Sequence, residues 1–172
     1  HDIQVADLNR DGFQELILVD SRGASKGEPS RLVVYRHDGT LLWAKPLGTF
    51  RDLPSFDIPA IGDMKGDGFQ EILVGGWGQQ AGGPYEVVAF KHDGTRLEGE
   101  WPLKFPSRVR GMVMADLNAE GKQEAILCLN QELLVVNDTG RVIQRWERPP
   151  SAVAFPAVGQ FDGGPDLEVV AR

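Results

Sequence analysis

A nine-residue stretch that recurs along the chain constrains its fold more than any other feature. It reads DLNRDGFQE at residues 7–15, DMKGDGFQE at 63–71 and DLNAEGKQE at 116–124, with a degenerate copy, QFDGGPDLE, at 160–168. We call these copies the first, second, third and fourth loops, and each is followed by an apolar stretch that we predict to be a β-strand. Copies spaced by about fifty residues predict an array of similar units rather than one ordinary domain.

A second repeated mark lies between the loops and predicts hairpins. Asp-Gly-Thr occurs at residues 38–40 and 93–95, and Asp-Thr-Gly at 138–140, each between apolar strands. Asp-Gly in that setting is a strong hairpin signal, so each unit should contain four antiparallel strands. In the second unit we expect the fourth strand near residues 96–103.

Four strands in a repeat of about 45 to 55 residues predict an all-β fold made of β-propeller blades. No apolar pattern with a helical period is long enough to predict a helix. We expect blades at about 1–57, 58–109 and 110–154 and an incomplete fourth at 155–172. Because natural propellers have four to eight blades, the chain should be a fragment of a larger propeller or should self-associate through open blade edges.

The first loop has the composition of a calcium site. Asp7, Asn9 and Asp11 place oxygen-bearing side chains at alternate positions, Gly12 permits a sharp turn, and Glu15 adds a carboxylate. Ca²⁺ takes six to eight oxygen ligands, so these side chains are candidate metal ligands. Two alternatives are turn chemistry, in which Asp side chains bond to their own backbone, and a catalytic carboxylate pair. Repetition of the loop argues against the catalytic pair, since an active site is built once.

The other loops depart from this pattern in ways that predict a graded use of metal. In the second loop, Lys65 stands where an oxygen ligand is expected, and its ammonium could replace the ion by pairing with two aspartates. The third loop has Glu in place of Asp at its fifth position, and the fourth lacks two of the acids. The candidate ligands are Asp63, Asp67 and Glu71 in the second loop, and Asp116, Asn118, Glu120 and Glu124 in the third.

The three complete loops, each followed by an apolar strand, resemble the calcium loops of FG-GAP or VCBS repeats. Such repeats form the blades of integrin α-subunit heads and of many secreted bacterial propellers, and the resemblance covers essentially the whole chain. In that family the loop joins the first and second strands of a blade, and the metal is structural. The resemblance therefore implies structural Ca²⁺ at Asp7, Asn9, Asp11 and Glu15.

Candidate ligand-binding residues lie in other connections. Trp77 is within GGWGQQAGG, which we interpret as a loop that either folds back onto the blade or offers its indole to a ligand such as a sugar. Arg51, Arg108 and Arg110 lie in predicted blade-to-blade connections, where they are either solvated surface or contacts for an anionic ligand. In an up-and-down blade these segments lie on the face opposite the calcium loops.

Several remaining aromatic and sulfur-containing residues have structural interpretations. His37 and His92 precede Asp-Gly in equivalent hairpins, so we expect them to serve the turns. Cys128 lies in an apolar run and should be a buried core thiol. Tryptophans recur on the predicted fourth strands and should pack between blades or against an edge. These are Trp43, Trp101 and Trp146.

Composition excludes several classes of partner. Apolar residues make up 41% and charged residues 25%, as in soluble globular proteins, and the net charge of -7 argues against nucleic acid or an anionic membrane surface. No apolar run approaches the roughly 20 residues of a membrane span. The chain begins at His1 without methionine or signal peptide, so we expect a mature fragment. Millimolar calcium outside cells would suit weak acidic loops, which favours an extracellular setting.

Two functional hypotheses follow. No nucleophile elbow, phosphate-binding loop, HExxH or cysteine-based zinc pattern occurs in the sequence. The favoured hypothesis is a non-catalytic extracellular scaffold or adhesion module that binds a protein or carbohydrate. The alternative is part of a polysaccharide-acting enzyme, because propellers assemble active sites from scattered loops.

Overall fold

The computed structural model describes residues 3–21, 28–48, 59–78, 84–147, 156–161 and 167–171, and the regular structure of these residues is entirely β-strand. The first unit contains β1 (Gln4–Ala6), β2 (Glu15–Asp20), β3 (Ser30–Tyr35) and β4 (Leu41–Gly48). The second contains β5 (Ala60–Gly62), β6 (Glu71–Gly78), β7 (Tyr85–Phe90) and β8 (Leu103–Phe105). The third contains β9 (Val109–Ala115), β10 (Glu124–Leu129), β11 (Glu132–Val136) and β12 (Val142–Glu147). Then follow β13 (Pro156–Gly159) and β14 (Glu168–Ala171).

Strands that are consecutive in the sequence pair with one another in antiparallel order. They form four-stranded sheets β1 to β4, β5 to β8 and β9 to β12, and a two-stranded sheet of β13 and β14. The predicted all-β architecture of four-stranded units, with part of a fourth, is therefore confirmed. In the described ranges no helix is long and apolar enough to cross a membrane.

In the third sheet, burial differs sharply between a central strand and the outer strand. All six residues of β10 are buried, whereas five of the six residues of β12 are exposed. A continuous apolar run such as Ala125 to Leu129 is what a strand covered on both faces requires. Cys128 lies on β10 with its side chain fully buried, as predicted.

The apolar core lies between the sheets. Ile17 of the first sheet packs with Ile72 and Phe90 of the second, while Leu73 of the second packs in a cluster with Leu127 of the third. Each such side chain contributes about 1.5 to 3 kcal/mol when it is removed from water. The sheets therefore stack face to face along the chain, which is the arrangement of propeller blades.

The fourth strand of the second sheet differs from the prediction. It is β8, at residues 103–105, and the expected strand near 96–103 is reduced to one bridge between Phe90 and Arg96. Gly99 has a φ of +108°, and a Cβ there would clash with the carbonyl of Thr139 in the third unit. The backbone N–H of Glu100 donates to that carbonyl at 2.7 Å. The chain leaves the sheet here because it contacts the neighbouring hairpin.

Trp77 also lies elsewhere than predicted, because its backbone belongs to β6 rather than to a loop. It pairs with Glu86 of β7 after a shift of register between Gly75 and Trp77. A Cβ at Gly75 would lie 2.6 Å from Cγ2 of Val87, so glycine permits the close approach of the two strands. Both strands therefore extend beyond the apolar run that predicted them, and residues 79–83 of the expected loop lie outside the described residues.

Candidate metal centre

The first, second and third loops occupy equivalent places in their sheets. They join β1 to β2, β5 to β6 and β9 to β10. Each loop connects the first and second strands, as the family resemblance implies. Since the strand order is the same in all three sheets, the loops lie at corresponding sheet ends.

In the first loop, side-chain oxygens converge on the backbone. Asp7 Oδ1 and Asn9 Oδ1 both accept hydrogen bonds from the N–H of Asp11, at 3.2 and 3.0 Å. Asp7 Oδ2 accepts from Gly12 N at 2.9 Å, and Asp11 Oδ1 accepts from Phe13 N at 2.8 Å. The side-chain amide of Asn9 donates to Asp11 Oδ2 at 3.0 Å. These are the turn hydrogen bonds that the sequence left open as an alternative to metal ligation.

The third loop repeats this geometry. Asp116 Oδ1 and Asn118 Oδ1 both accept from the N–H of Glu120, each at 3.1 Å, and Asp116 Oδ2 accepts from Gly121 N at 2.8 Å. The first and third loops therefore bring the oxygens of their first and third positions to one backbone group.

The second loop keeps the bonds of its first aspartate, although Lys65 stands in place of the third-position oxygen. Asp63 Oδ1 accepts from Gly66 N at 2.7 Å and from Asp67 N at 3.2 Å, while its Oδ2 accepts from Gly68 N at 2.7 Å. No ion pair joins Lys65 to either aspartate among the described residues. The expected pairing of Lys65 with the aspartates is therefore not formed, and Asp63 bonds to backbone N–H groups instead.

A buried glutamate closes the base of the first, second and third loops. Oε2 of Glu15, Glu71 and Glu124 accepts from the N–H of the residue seven positions earlier, at 2.9, 3.0 and 3.0 Å respectively. These glutamates are only 1, 2 and 4% exposed. Glu168 makes the same bond in the fourth loop, to Phe161 N at 2.6 Å. The sequence analysis treated Glu15, Glu71 and Glu124 as metal ligands and missed this role, although a Glu at the same offset in all four loops signalled it.

Burial governs the protonation of two of these glutamates. Desolvation raises the pKa of Glu71 to about 7, against the hydrogen bond from Met64 N–H, which lowers it. Nearby Asp67 raises this pKa further, and Lys65 lowers it. Burial likewise raises the pKa of Glu15, with Asp11 and Asp7 adding to the effect. A buried carboxylate near other carboxylates is costly to ionise unless a cation is close.

The donor set of the first loop fits a hard cation. In the part of the chain that the structure describes, no three His, Cys, Asp or Glu side chains are grouped so that they could hold a metal by themselves. A cation there would therefore need the carbonyl oxygen of Asn9 and backbone oxygens besides Asp7 and Asp11. All of these are oxygen ligands, which suit Ca²⁺ rather than zinc or copper.

Tryptophan side chains link neighbouring units. Trp43 Nε1 donates to the carbonyl of His92 in the second unit, and Trp101 Nε1 donates to that of Asp138 in the third, both at 3.0 Å. The predicted packing between blades is confirmed for these two residues, although Trp101 precedes β8 rather than lying on it. Trp146 lies on β12 and is 41% exposed.

Histidines link the first and second loops to the hairpins of their own units. His37 stacks on Phe13 of the first loop, with ring centroids 4.2 Å apart, and His92 stacks on Phe69 of the second at 4.4 Å. Sequence reasoning placed the histidines in the turns but missed the stacks. The signal was the joint occurrence of Phe and His in these units, since the third has Lys122 at the equivalent loop position.

The predicted ligand-binding residues lie on different elements. Arg110 is within β9, not in a connection, and donates from Nε to Asn130 Oδ1 at 2.8 Å. Arg108 is half-buried just before β9. Trp77 is near the end of β6, and Arg51 lies outside the described residues. The end of β6 and the start of β9 lie at the sheet ends opposite the loops, because strand direction alternates.

Comparison with known proteins bears on the fold. No family model and no curated protein sequence matches the chain. Among solved structures, it resembles the V. cholerae biofilm matrix protein Bap1, with a TM-score of 0.65 and 20% identity over 98% of this chain and 23% of that one. It also resembles BBS1N, solved in complex with ARL6DN, with a TM-score of 0.63 and 14% identity over 98% of this chain and 49% of that one.

This chain thus spans less than half the length of either neighbour. Identities this low speak only to the fold. Together with the stacked four-stranded sheets, the two structural likenesses place the chain in a propeller-like all-β fold. They also fit its being part of a larger propeller.

Proposed function

We propose that this chain is a calcium-stabilised, non-catalytic part of an extracellular propeller that binds a protein or carbohydrate. The observation that supports the proposal most is the repetition of one loop geometry in the first and third units. Asp7 with Asn9, and Asp116 with Asn118, make matching bonds to the backbone. A repeated loop serves the framework of every unit, whereas catalysis needs one site.

The structural neighbours support the setting and the kind of partner. Likeness to a biofilm matrix protein favours an extracellular, adhesion-like role. Likeness to BBS1N, which was solved in complex with ARL6DN, favours a protein partner. These likenesses concern the fold, so function has to be argued from the residues of this chain.

The calcium proposal assigns roles within the first loop. Asp7, Asn9 and Asp11 would hold the ion, which would supply positive charge to neutralise the carboxylates. Glu15 would contribute negative charge from the base of the loop while it keeps its hydrogen bond from Leu8 N–H. Ca²⁺ use should then be strongest here, intermediate in the third loop and weaker in the second, where Lys65 removes a ligand.

We propose that the ligand binds at the sheet ends opposite the loops. Trp77, near the end of β6, and Arg110, on β9, would contact the ligand there. Arg108 and Arg51, from the predicted blade-to-blade connections, would also contribute. Open sheet edges also favour self-association. β1 and β14 are edge strands, and their apolar residues Val5 and Val170 are 52% and 47% exposed.

A glycan array followed by incubation with each bound polymer tests this function. We expect binding without a change in polymer length, and binding should fall for Trp77→Ala and Arg110→Ala. Lys122→Ala is the matched control, because Lys122 is exposed at the loop edge. Cleavage of the polymer would overturn the proposal in favour of the polysaccharide-acting enzyme. Equal loss of binding in all three variants would overturn the assignment of the binding edge.

A further inference from the structure

Arg10 has an unusual backbone conformation for its residue type. Its φ is +63°, in the left-handed region where L residues are rare. The equivalent positions are Gly66 in the second loop, with φ +69°, and Ala119 in the third, with φ +56°. A small residue suits this position, so a long charged side chain there needs an explanation outside the turn.

The side chain of Arg10 crosses from the first unit to the second. Its Nη1 donates to the backbone carbonyl of Asp67 at 3.0 Å. Its Cζ lies 6.0 Å from the ring centroid of Phe69, within the range of a cation–π interaction. Beside it, Gln70 N–H donates to the carbonyl of Leu8 at 3.2 Å. The first loop therefore holds residues 67–70 of the second through both a side chain and the backbone.

The second loop is shaped to receive this guanidinium. A Cβ at Gly68 would lie 2.7 Å from Cζ, Nε and Nη1 of Arg10. At the equivalent glycines, Gly12 and Gly121, a Cβ would meet nothing within 4 Å. All three glycines have a φ between +84° and +86°. Gly68 thus serves a turn, as the others do, and in addition leaves room for the arginine.

We infer that residues 67–69 form a guanidinium-binding site for Arg10 and that this contact holds the second loop closed from outside. Arg10 is a positioning residue here, supplied by the preceding unit. The inference goes beyond the proposed function because it requires no bound cation. It also explains how the second loop keeps the shape of the others although Lys65 has replaced an oxygen-bearing side chain.

Residue-resolved amide hydrogen exchange in chelator tests the contact directly. In Arg10→Ala we expect the N–H groups of Phe69 and Gln70 to exchange at least about tenfold faster, the order expected for loss of a hydrogen bond to a charged group. The N–H of Gly121 in the third loop should exchange at its parental rate. Unchanged exchange at Phe69 and Gln70 would overturn the inference.

A double-substitution cycle tests the site from the other side. In the parent, Gly68→Ala adds left-handed strain and displaces the guanidinium, so Gln70 exchange should accelerate more than it does when the same change is made in Arg10→Ala. Gly121→Ala is the matched control for strain, and its effect on exchange of the Glu120 N–H in the same loop should be the same in both backgrounds. An equal effect of Gly68→Ala in the two backgrounds would show that no arginine site exists.

Glycine substitutions distinguish the contact from mere strain. Arg10→Gly and Ala119→Gly both relieve a left-handed residue, but only the first removes the guanidinium. We expect Ala119→Gly to leave exchange in the second loop unchanged or slower, and Arg10→Gly to accelerate it. If both variants slow exchange alike, Arg10 is a strained surface residue and the inference is wrong.

Discussion

Oε2 of Glu71 accepts a buried hydrogen bond from the backbone N–H of Met64 at 3.0 Å. The carboxylate is thereby fixed at the base of the second loop, and the apolar residue after the first aspartate is drawn into the core. Met64 is 1% exposed. Because the same bond recurs in the first and third loops, the repeated Glu serves the fold of every unit.

This burial makes stability depend on pH. The pKa of Glu71 is about 7 in the folded protein, above the ordinary glutamate value of 4.5. The folded state therefore holds the proton more tightly than the unfolded state. The stabilising contribution is full below pH 4.5, falls as the pH rises, and is lost above about pH 7. At about 1.4 kcal/mol per pH unit, the loss is about 3 kcal/mol.

Urea unfolding in chelator between pH 4.5 and 7.5 measures this contribution. The difference in unfolding free energy between the parent and Glu71→Gln should fall by about that amount across the window. Glu147→Gln, an exposed carboxylate on β12, is the control and should follow the parent. Parallel curves for the parent and Glu71→Gln would contradict the assignment.

Blade contact through Trp43 should be measurable. Trp43→Phe keeps an aromatic ring but removes the donor to the His92 carbonyl, so we expect a loss of about 1 kcal/mol in unfolding free energy. Trp146→Phe is the matched control on β12, where the side chain is 41% exposed, and should change stability by less than about 0.5 kcal/mol. Equal effects would mean that the hydrogen bond contributes nothing.

The core between the second and third sheets should be sensitive to truncation. Leu127→Ala on β10 removes a fully buried side chain and should cost about 2 to 5 kcal/mol. Ile143→Ala on β12, where the side chain is 52% exposed, should cost less than about 0.5 kcal/mol. Thermal unfolding of both variants checks this order, and a reversal would refute the assignment of β10 as an inner strand.

Sequence reasoning reached features that depend on short stretches of chain. The Asp-Gly-Thr turns at residues 38–40 and 93–95 and the strands beside them follow from local turn chemistry and apolar runs. The loops between first and second strands were found in the same way. Repetition made each of these signals stronger than a single copy would be.

Features that depend on contacts between units were missed. Arg10 meets Asp67 across 57 residues of sequence, and nothing local predicts that contact. The fourth strand of the second sheet was misplaced because Gly99 lies against Thr139 of the next unit. Lys65 was expected to pair with aspartates, but Asp63 instead accepts hydrogen bonds from backbone N–H groups of the turn.

We propose that Ca²⁺ stabilises these loops in a graded way. Removing Asp11 takes away a proposed ligand from the first loop, and Glu120 and Asp67 are its equivalents in the third and second. A cation that binds only the folded state stabilises it by about 2.7 kcal/mol at a hundredfold excess over Kd. Because Lys65 replaces an oxygen ligand in the second loop, removal of Asp67 should reduce the stabilisation by Ca²⁺ least.

The graded use of Ca²⁺ can be measured by melting curves with Ca²⁺ and with chelator, for the parent and the three alanine variants at these positions. We predict that Ca²⁺ raises the parent's melting temperature. This calcium-dependent shift should shrink most in Asp11→Ala, less in Glu120→Ala and least in Asp67→Ala. No effect of Ca²⁺ on the parent, or an equal response in all three variants, would contradict the account and leave the loops held by turn hydrogen bonds alone.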